Sequence, residues 1–157
     1  MKTSTFVTGL VLALTPLGAH AEDFPLLGTW QLQTYAREAP DGQRTEPFGP
    51  TPDGYINYSS DGRMYAILMR SDRAKPTSGA AATEAEAARL HNTMVAYGGT
   101  YEIVKDGEVI HHVDISWNEG LTDTDQVRYY VLKDDVLTIT TPEMGGAPYV
   151  LVWKKVK

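Results

Sequence analysis

Cysteine is absent from this chain of 157 residues, so no disulfide bond can stabilise its fold. An exported domain of this length without disulfides depends on its hydrophobic core for stability. Basic residues are also scarce, because 14 Lys and Arg stand against 20 Asp and Glu, which gives a formal charge of −6. A negatively charged surface repels phosphate backbones, and we therefore expect no nucleic-acid partner.

Long apolar segments are missing apart from one at the N-terminus. A largely apolar run, Phe6–Leu17, follows Lys2, and Ala19-His20-Ala21 fits the small-x-small pattern of a signal-peptidase site. The run is too short to span a bilayer well, so we expect no membrane insertion. The pattern predicts a cleavable signal peptide at 1–21, cut after Ala21, and a periplasmic or secreted domain at 22–157.

Eight strands and one helix are predicted in the mature segment. Trp30 and Leu32 alternate with polar residues, which is the period of a half-buried strand. The same alternation predicts strands at 30–35, 55–59, 64–70, 100–105, 108–117, 124–133, 136–141 and 149–156. Thr83 is predicted to cap a helix that runs to Tyr97. The apolar face of that helix, expected to pack against the domain or to cover it, is Ala87, Leu90, Met94 and Tyr97.

The lengths of the connections indicate how the strands are arranged. Tight turns are predicted at 61–62, 106–107 and 134–135, and they alternate with long connections at 38–54, 71–98, 118–123 and 142–148. A meander places alternate connections at opposite ends, so one end is closed by turns and the other carries the loops. The predicted fold is all-β: an eight-stranded antiparallel up-and-down β-barrel with one α-helix at the open end, wide enough for one small ligand. The sequence leaves open whether loop 38–54 or helix 83–97 closes the mouth.

The turns also predict which side chains face the lumen, because register decides which face of a strand points inward. If Asp106-Gly107 is a two-residue turn, Tyr101 lies opposite His112. Across the next loop, the matching register places Asp114 beside Arg128. Large aliphatic residues near the tight turns favour this face as the inner one. The predicted ligand-binding residues are Tyr101, His112, Asp114, Ser116, Gln126, Arg128, Tyr130 and Ile139.

The opposite assignment of faces stays open. An alternative lining for the lumen consists of the apolar residues Val113, Ile115, Val127 and Val131. The polar side chains on the other face, which include His112, Asp114 and Arg128, would then face solvent. In that arrangement an ion pair between Asp114 and Arg128 would contribute little to stability, because exposed ion pairs are weak.

Gly28-Thr29-Trp30 opens the first strand of the meander, and in this motif the chain resembles the lipocalins and the wider calycin group. It is more similar to the lipocalin-like domain family of bacteria and fungi. The stretches that carry this resemblance are Leu26–Leu32, Asp53–Met64, Met69–Pro76, Tyr97–Ile103, His111–Ser116, Gln126–Arg128 and Leu137–Pro142. They cover nearly all of the mature segment, and the resemblance implies a barrel with a central cavity but no particular ligand.

Three functions remain open from the sequence, as does the oligomeric state. The first is binding of a small hydrophobic, oxygen-bearing ligand in the lumen, where Arg128 could hold a carboxylate, enolate or carbonyl oxygen. The second is a cofactor-independent lyase, isomerase or cyclase in which His112 acts as acid or base. Tyr130 would donate to developing negative charge, and Asp114 would pair with Arg128. The third is a structural domain with a filled barrel.

No metal site and no cofactor are expected. The chain contains adjacent histidines, His111 and His112, but neighbouring residues of a strand point to opposite faces. They cannot bind one metal ion from the same side. None of the three functions requires a cofactor.

Overall fold

The computed structural model describes residues 24–79 and 81–157 and shows a closed antiparallel β-barrel. Its strands are β1 (Gly28–Glu38), β2 (Arg44–Thr45), β3 (Asp53–Tyr58), β4 (Arg63–Met69), β5 (Met94–Lys105), β6 (Glu108–Ser116), β7 (Thr124–Lys133), β8 (Val136–Thr140) and β9 (Tyr149–Lys155). Each pairs with its neighbours in the barrel, and β1 also pairs with β9, which closes the sheet. The two-residue strand β2 lies outside this ring, so eight strands form the wall, as predicted. The predicted signal peptide at 1–21 lies outside the described residues.

Short turns and long connections alternate around the barrel, which confirms the predicted meander. Tight turns join β3 to β4, β5 to β6 and β7 to β8 at one end, here called the closed end. The long connections lie at the opposite, open end. All three turns use a left-handed backbone, with φ of 82° at Gly62 and at Gly107 and 53° at Asp134. Glycine adopts this conformation without steric cost, and aspartate tolerates it.

Large apolar side chains fill the closed end of the barrel. Trp30 and Trp153 are each 1% exposed and Leu137 is fully buried. The Trp30 indole N–H donates a 2.8 Å hydrogen bond to the Leu26 carbonyl, and the Lys155 ammonium lies 4.2 Å from the centre of a Trp30 ring. A cation over an aromatic face is a stabilising contact. Large apolar side chains, which were expected near the tight turns, are therefore buried at this end of the barrel.

The helix is shorter than predicted. Helix α1 covers Glu84–Asn92, capped by Thr83 and Glu86 in a reciprocal capping box. Met94 and Tyr97, which were predicted to lie on its apolar face, belong to β5 instead. No residue of α1 is buried, so the predicted packing face is wrong. Within the described residues, no helix is long and apolar enough to cross a membrane.

A β-bulge changes the predicted register between β5 and β6. Lys105 lies opposite Glu108, so the two-residue turn is as predicted, but the register shifts between Ile103 and Lys105. One extra residue on β5 then places Tyr101 opposite His111 rather than His112. The inner face of β6 is consequently the odd-numbered row.

The register between β6 and β7 also differs from the prediction. The predicted pairs were His112 with Tyr130, Asp114 with Arg128 and Ser116 with Gln126. The observed pairs are Val109 with Arg128, His111 with Gln126 and His112 with Asp125. Val113 and Thr124 are the last paired residues of β6 and β7. The residues of β6 beyond Val113 pair only with β5, so the connection does not join the two strands at equivalent positions. The shift is an odd number of residues, which turns the opposite face of β6 inward.

Between β7 and β8 the predicted register is confirmed. Leu132 lies opposite Leu137, and Tyr130 lies opposite Ile139. Tyr130 and Ile139 are buried at 6% and 2% exposure, whereas Tyr129 and Val131 on the alternate row are 47% and 67% exposed. The even-numbered row of β7 therefore faces the lumen, as predicted.

Candidate functional site

A cavity of about 270 Å³ lies in the barrel, toward its open end. Most of its wall is apolar or aromatic: Tyr35, Ile56, Ala66, Leu68, Val95, Tyr97, Trp117, Leu121, Ile139, Met144, Tyr149, Leu151 and Trp153. Its other lining residues are His111, Asn118, Gln126, Arg128 and Thr141. An apolar pocket with a few convergent polar groups is the usual form of a small-molecule site.

Two connections at the open end border the cavity. Trp117, Asn118 and Leu121 come from the connection between β6 and β7, and Met144 comes from the one between β8 and β9. The Arg37 guanidinium donates a 2.7 Å hydrogen bond to the Met144 carbonyl and so holds the second connection in place. No described residue of loop 38–54 or of α1 lines the cavity.

His111 is the most deeply buried polar group of the site, with no exposed surface. Its Nε2 lies 2.8 Å from the Tyr58 hydroxyl and its Nδ1 lies 3.0 Å from the Tyr97 hydroxyl. Burial lowers the pKa of His111 well below its usual value, and the positive charge of Arg128 lowers it further. The imidazole is therefore neutral at neutral pH, and both ring nitrogens are occupied by tyrosine hydroxyls.

His111 was assigned to the outer face of the barrel in the sequence prediction, and that assignment is wrong. The sequence contained a signal for its burial, because His111 lies between Val109 and Val113 on alternate positions of one strand. In the structure the exposures of Val109, His111 and Val113 are 0%, 0% and 3%. The prediction preferred the opposite face of β6, because a register between β5 and β6 without the bulge would place His112 in the lumen.

Arg128 is the cationic side chain of the cavity, and it lies on the inner row of β7. Its guanidinium donates to the Val127 carbonyl at 2.8 Å and to the Gln126 side-chain oxygen at 3.4 Å. None of the ion pairs among the described residues includes Arg128. No Asp or Glu lines the cavity in the described part of the chain. The lumen thus contains a positive charge without an acidic partner.

The aromatic hydroxyls around this cation stay protonated. Burial raises the pKa of Tyr35 to about 12 and the pKa of Tyr58 well above its usual value. Burial also raises the pKa of Tyr97, while the charge and hydrogen bonding of nearby Arg128 oppose part of that rise. These phenols are therefore protonated at neutral pH and can donate hydrogen bonds.

Trp153 contributes to the cavity wall, and its indole nitrogen is buried. The residue lines the cavity and is 1% exposed. Its indole N–H has no hydrogen-bond partner among the described residues. A buried N–H without a partner costs about 1–3 kcal/mol.

His112 and Asp114 lie outside the barrel, contrary to the prediction. The His112 Nδ1 is 2.6 Å from an Asp125 carboxylate oxygen, and its Nε2 is 3.7 Å from Glu102. Asp114 forms a 2.5 Å ion pair with Arg63 rather than with Arg128, and both side chains are about half exposed. Hydrogen bonding to Arg63 lowers the pKa of Asp114. The four residues proposed for acid–base catalysis are therefore not assembled in one site.

The other predicted residues divide between the lumen and its surroundings. Gln126, Arg128 and Ile139 line the cavity, and their role in ligand binding stays a prediction. Tyr130 is buried nearer the closed end, outside the cavity lining. Tyr101 donates a 3.0 Å hydrogen bond to the Ser59 carbonyl and packs against Tyr58. The Ser116 hydroxyl accepts from the Asn118 backbone N–H at 3.1 Å, and it does not line the cavity.

The described residues contain no group of three or more His, Asp or Glu side chains placed to hold a metal ion. The lumen, with its apolar wall and its uncompensated cation, is the candidate functional site.

Comparisons with known proteins agree with this architecture. The family model described as a lipocalin-like domain matches residues 27–156. Among solved structures, a lipocalin-like protein from Bacteroides uniformis is 18% identical, with 83% of this chain and 98% of that chain covered and a TM-score of 0.47. A redesigned β-barrel is 10% identical, with 84% and 92% covered and a TM-score of 0.42. None of the curated proteins matches the chain significantly. Since the family model spans most of its length, the chain belongs to the lipocalin-like domain family.

Proposed function

We propose that this protein is an exported carrier that binds a small, largely apolar, oxygen-bearing molecule in the barrel lumen. The observation that carries the proposal is the cavity of about 270 Å³ lined by Arg128, which has no acidic partner among the described residues. An empty cavity supports binding over a barrel filled by its own side chains. The separation of His112 and Asp114 from Arg128 removes the support for the acid–base reaction considered from the sequence.

The size of the cavity limits the ligand. Pockets for small molecules commonly have volumes of roughly 300–1,000 Å³. The lumen lies just below this range, at about 270 Å³, and its wall contains the large rings of Tyr35, Tyr149 and Trp117. Tyr35 and Tyr149 stack at 5.1 Å between ring centres, and Phe48 packs edge-on against Tyr35 at 4.9 Å. A compact ring compound fits such a cavity better than a long flexible chain.

Export is the part of the proposal that depends on residues 1–21. The support is the apolar run followed by the small-x-small site, which precede the barrel domain. Protein recovered from the periplasm or medium of its natural host should begin at Glu22. Recovery of full-length chain from the cytoplasm would contradict this part of the proposal.

Ligand binding is tested by native mass spectrometry of protein purified from its natural host. We expect the wild type to carry a small molecule that Val95→Trp has lost. Val95 lines the cavity, so an indole at this position would occupy space that the ligand needs. The matched control is Ala96→Trp, because the next residue of β5 lies in the outer groove with Tyr65 and Ile115.

The control variant should retain the small molecule at the wild-type level. Equal loss from both variants would show that the tryptophan acts through stability rather than through occupancy. Wild-type protein that carries nothing, and that binds no member of a library of small aromatic compounds, would contradict the proposed function.

A further inference from the structure

The buried hydrogen-bonded chain Tyr58–His111–Tyr97 determines which hydroxyl can donate into the cavity. A neutral imidazole has one donor nitrogen and one acceptor nitrogen. Both His111 nitrogens contact tyrosine hydroxyls, at 2.8 Å for Tyr58 and 3.0 Å for Tyr97. One tyrosine must therefore donate to the ring, and the other must accept from it.

The surroundings of Tyr58 decide between the two arrangements. Tyr58 has no exposed surface, and His111 is the one hydrogen-bond partner of its hydroxyl among the described residues. If Tyr58 accepted from His111, its own O–H would be buried without an acceptor, at a cost of about 1–3 kcal/mol. Tyr58 therefore donates to Nε2, and Nδ1–H donates to the Tyr97 oxygen.

This arrangement leaves the Tyr97 O–H without an internal acceptor. Tyr97 lines the cavity, and the nearby Arg128 can only donate. Two donors, one hydroxyl and one charged guanidinium, therefore border the same space. Arg128 hydrogen-bonds to the Tyr97 side chain, to the Val127 carbonyl and to the Gln126 side-chain oxygen among the described residues. A guanidinium has five N–H donors, so part of its donor capacity stays free.

We propose that the Tyr97 hydroxyl and the Arg128 guanidinium form a subsite for the carboxylate group of a small apolar acid. The planar guanidinium matches a carboxylate, and a hydroxyl held in one orientation supplies a further donor. Tyr58 and His111 are positioning residues that orient the Tyr97 hydroxyl. This inference rests on the proposed function, because it identifies the chemical class of the ligand for the same cavity.

The test uses aromatic acids and their neutral amides as matched probes. Isothermal titration calorimetry would compare benzoate with benzamide, trans-cinnamate with cinnamamide, and 2-naphthoate with 2-naphthamide. Each pair has the same shape and differs in charge. The wild-type protein should bind the best acid at least about tenfold more tightly than its amide, because hydrogen bonds to charged groups are the stronger class.

Four variants assign this preference to the proposed residues. Arg128→Gln should weaken binding of the acid by about 10- to 100-fold and leave the amide within about threefold, which removes the preference. Arg128→Lys should retain part of the preference for the acid, because lysine keeps the positive charge but lacks the planar, bidentate geometry of the guanidinium. Tyr97→Phe should weaken acid binding about tenfold. Arg63→Gln is the matched control outside the barrel and should behave as the wild type.

Thermal unfolding of each variant confirms that it is folded at the temperature of the titration. Equal affinity for acid and amide in the wild type, or a preference that survives Arg128→Gln, would overturn the carboxylate subsite and leave the proposed function standing. Failure of every probe to bind the wild type would count against both the subsite and the proposed function.

Discussion

Acidification from pH 7 to pH 5 is expected to remove up to about 2 kcal/mol from the free energy of unfolding through His111 alone. The folded protein keeps this histidine neutral, because burial lowers its pKa well below the usual 6.5. The unfolded chain takes up a proton near its ordinary pKa. The unfolded state therefore binds more protons as the pH falls through about 6.5, and stability is lost on the acid side.

Urea unfolding of the wild type and of His111→Gln at several pH values measures this effect. Glutamine is neutral at every pH and retains one donor and one acceptor for Tyr58 and Tyr97. We expect its stability to fall less steeply between pH 7 and pH 5 than that of the wild type. Parallel profiles for the wild type and His111→Gln would contradict the burial of a neutral His111.

The second large effect is expected at Gly99, which lies on β5 opposite Val113 of β6. A Cβ atom at this position would lie 1.9 Å from the His112 carbonyl oxygen and 2.9 Å from its carbon. These are backbone atoms, so the strands must separate to accommodate it. Gly99→Ala should therefore destabilise the protein by about 3 kcal/mol or more, at or above the usual range for overpacking. The midpoint of urea unfolding measures this loss.

Gly98→Ala provides a matched control for that substitution. A Cβ atom at Gly98 would meet its nearest neighbour, the Met64 carbonyl oxygen, at 3.3 Å. Such a contact needs a shift of only a few tenths of an ångström, and we expect a loss of no more than about 1 kcal/mol. The register between β5 and β6 shifts between these two glycines. Equal losses at both positions would mean that the register is not as described.

The general architecture follows from local signals in the sequence. The turn signals separated short connections from long ones, and this was enough to predict an eight-stranded meander with one closed end. Asp134-Asp135 also predicted a local register correctly, since Leu132 lies opposite Leu137. Each of these features depends on a few adjacent residues whose backbone preferences are strong.

The inner face of β6 could not be predicted in the same way. The bulge near Val104 adds one residue to β5, and no single residue type is required there. The connection between β6 and β7 contains a short 3-10 helix, Glu119–Leu121. This helix allows β6 to end and β7 to begin at different heights along the barrel. Each shift of one residue exchanges the two faces of a strand, so a small local irregularity moved His112 outside and His111 inside.

The end of the helix was ambiguous for a related reason. Met94 and Tyr97 continue the apolar spacing of a helix, but they also fit a strand that begins at Met94. The pairing of Met94 with Met69 and of Tyr97 with Ala66 decides for the strand. Tertiary pairing of this kind overrides local propensity, and it placed Tyr97 in the cavity wall.

The central claim is that the lumen beside Arg128, rather than the outer row of His112 and Asp114, binds the ligand. Solution NMR of the arginine Nε–H groups during titration with the best-binding aromatic acid tests it most directly. Arg128 should show a saturable shift with the same dissociation constant as calorimetry, and Arg63, paired with Asp114 outside the barrel, should not move. A saturable shift at Arg63 with none at Arg128 would place the ligand on the outer face and contradict the claim.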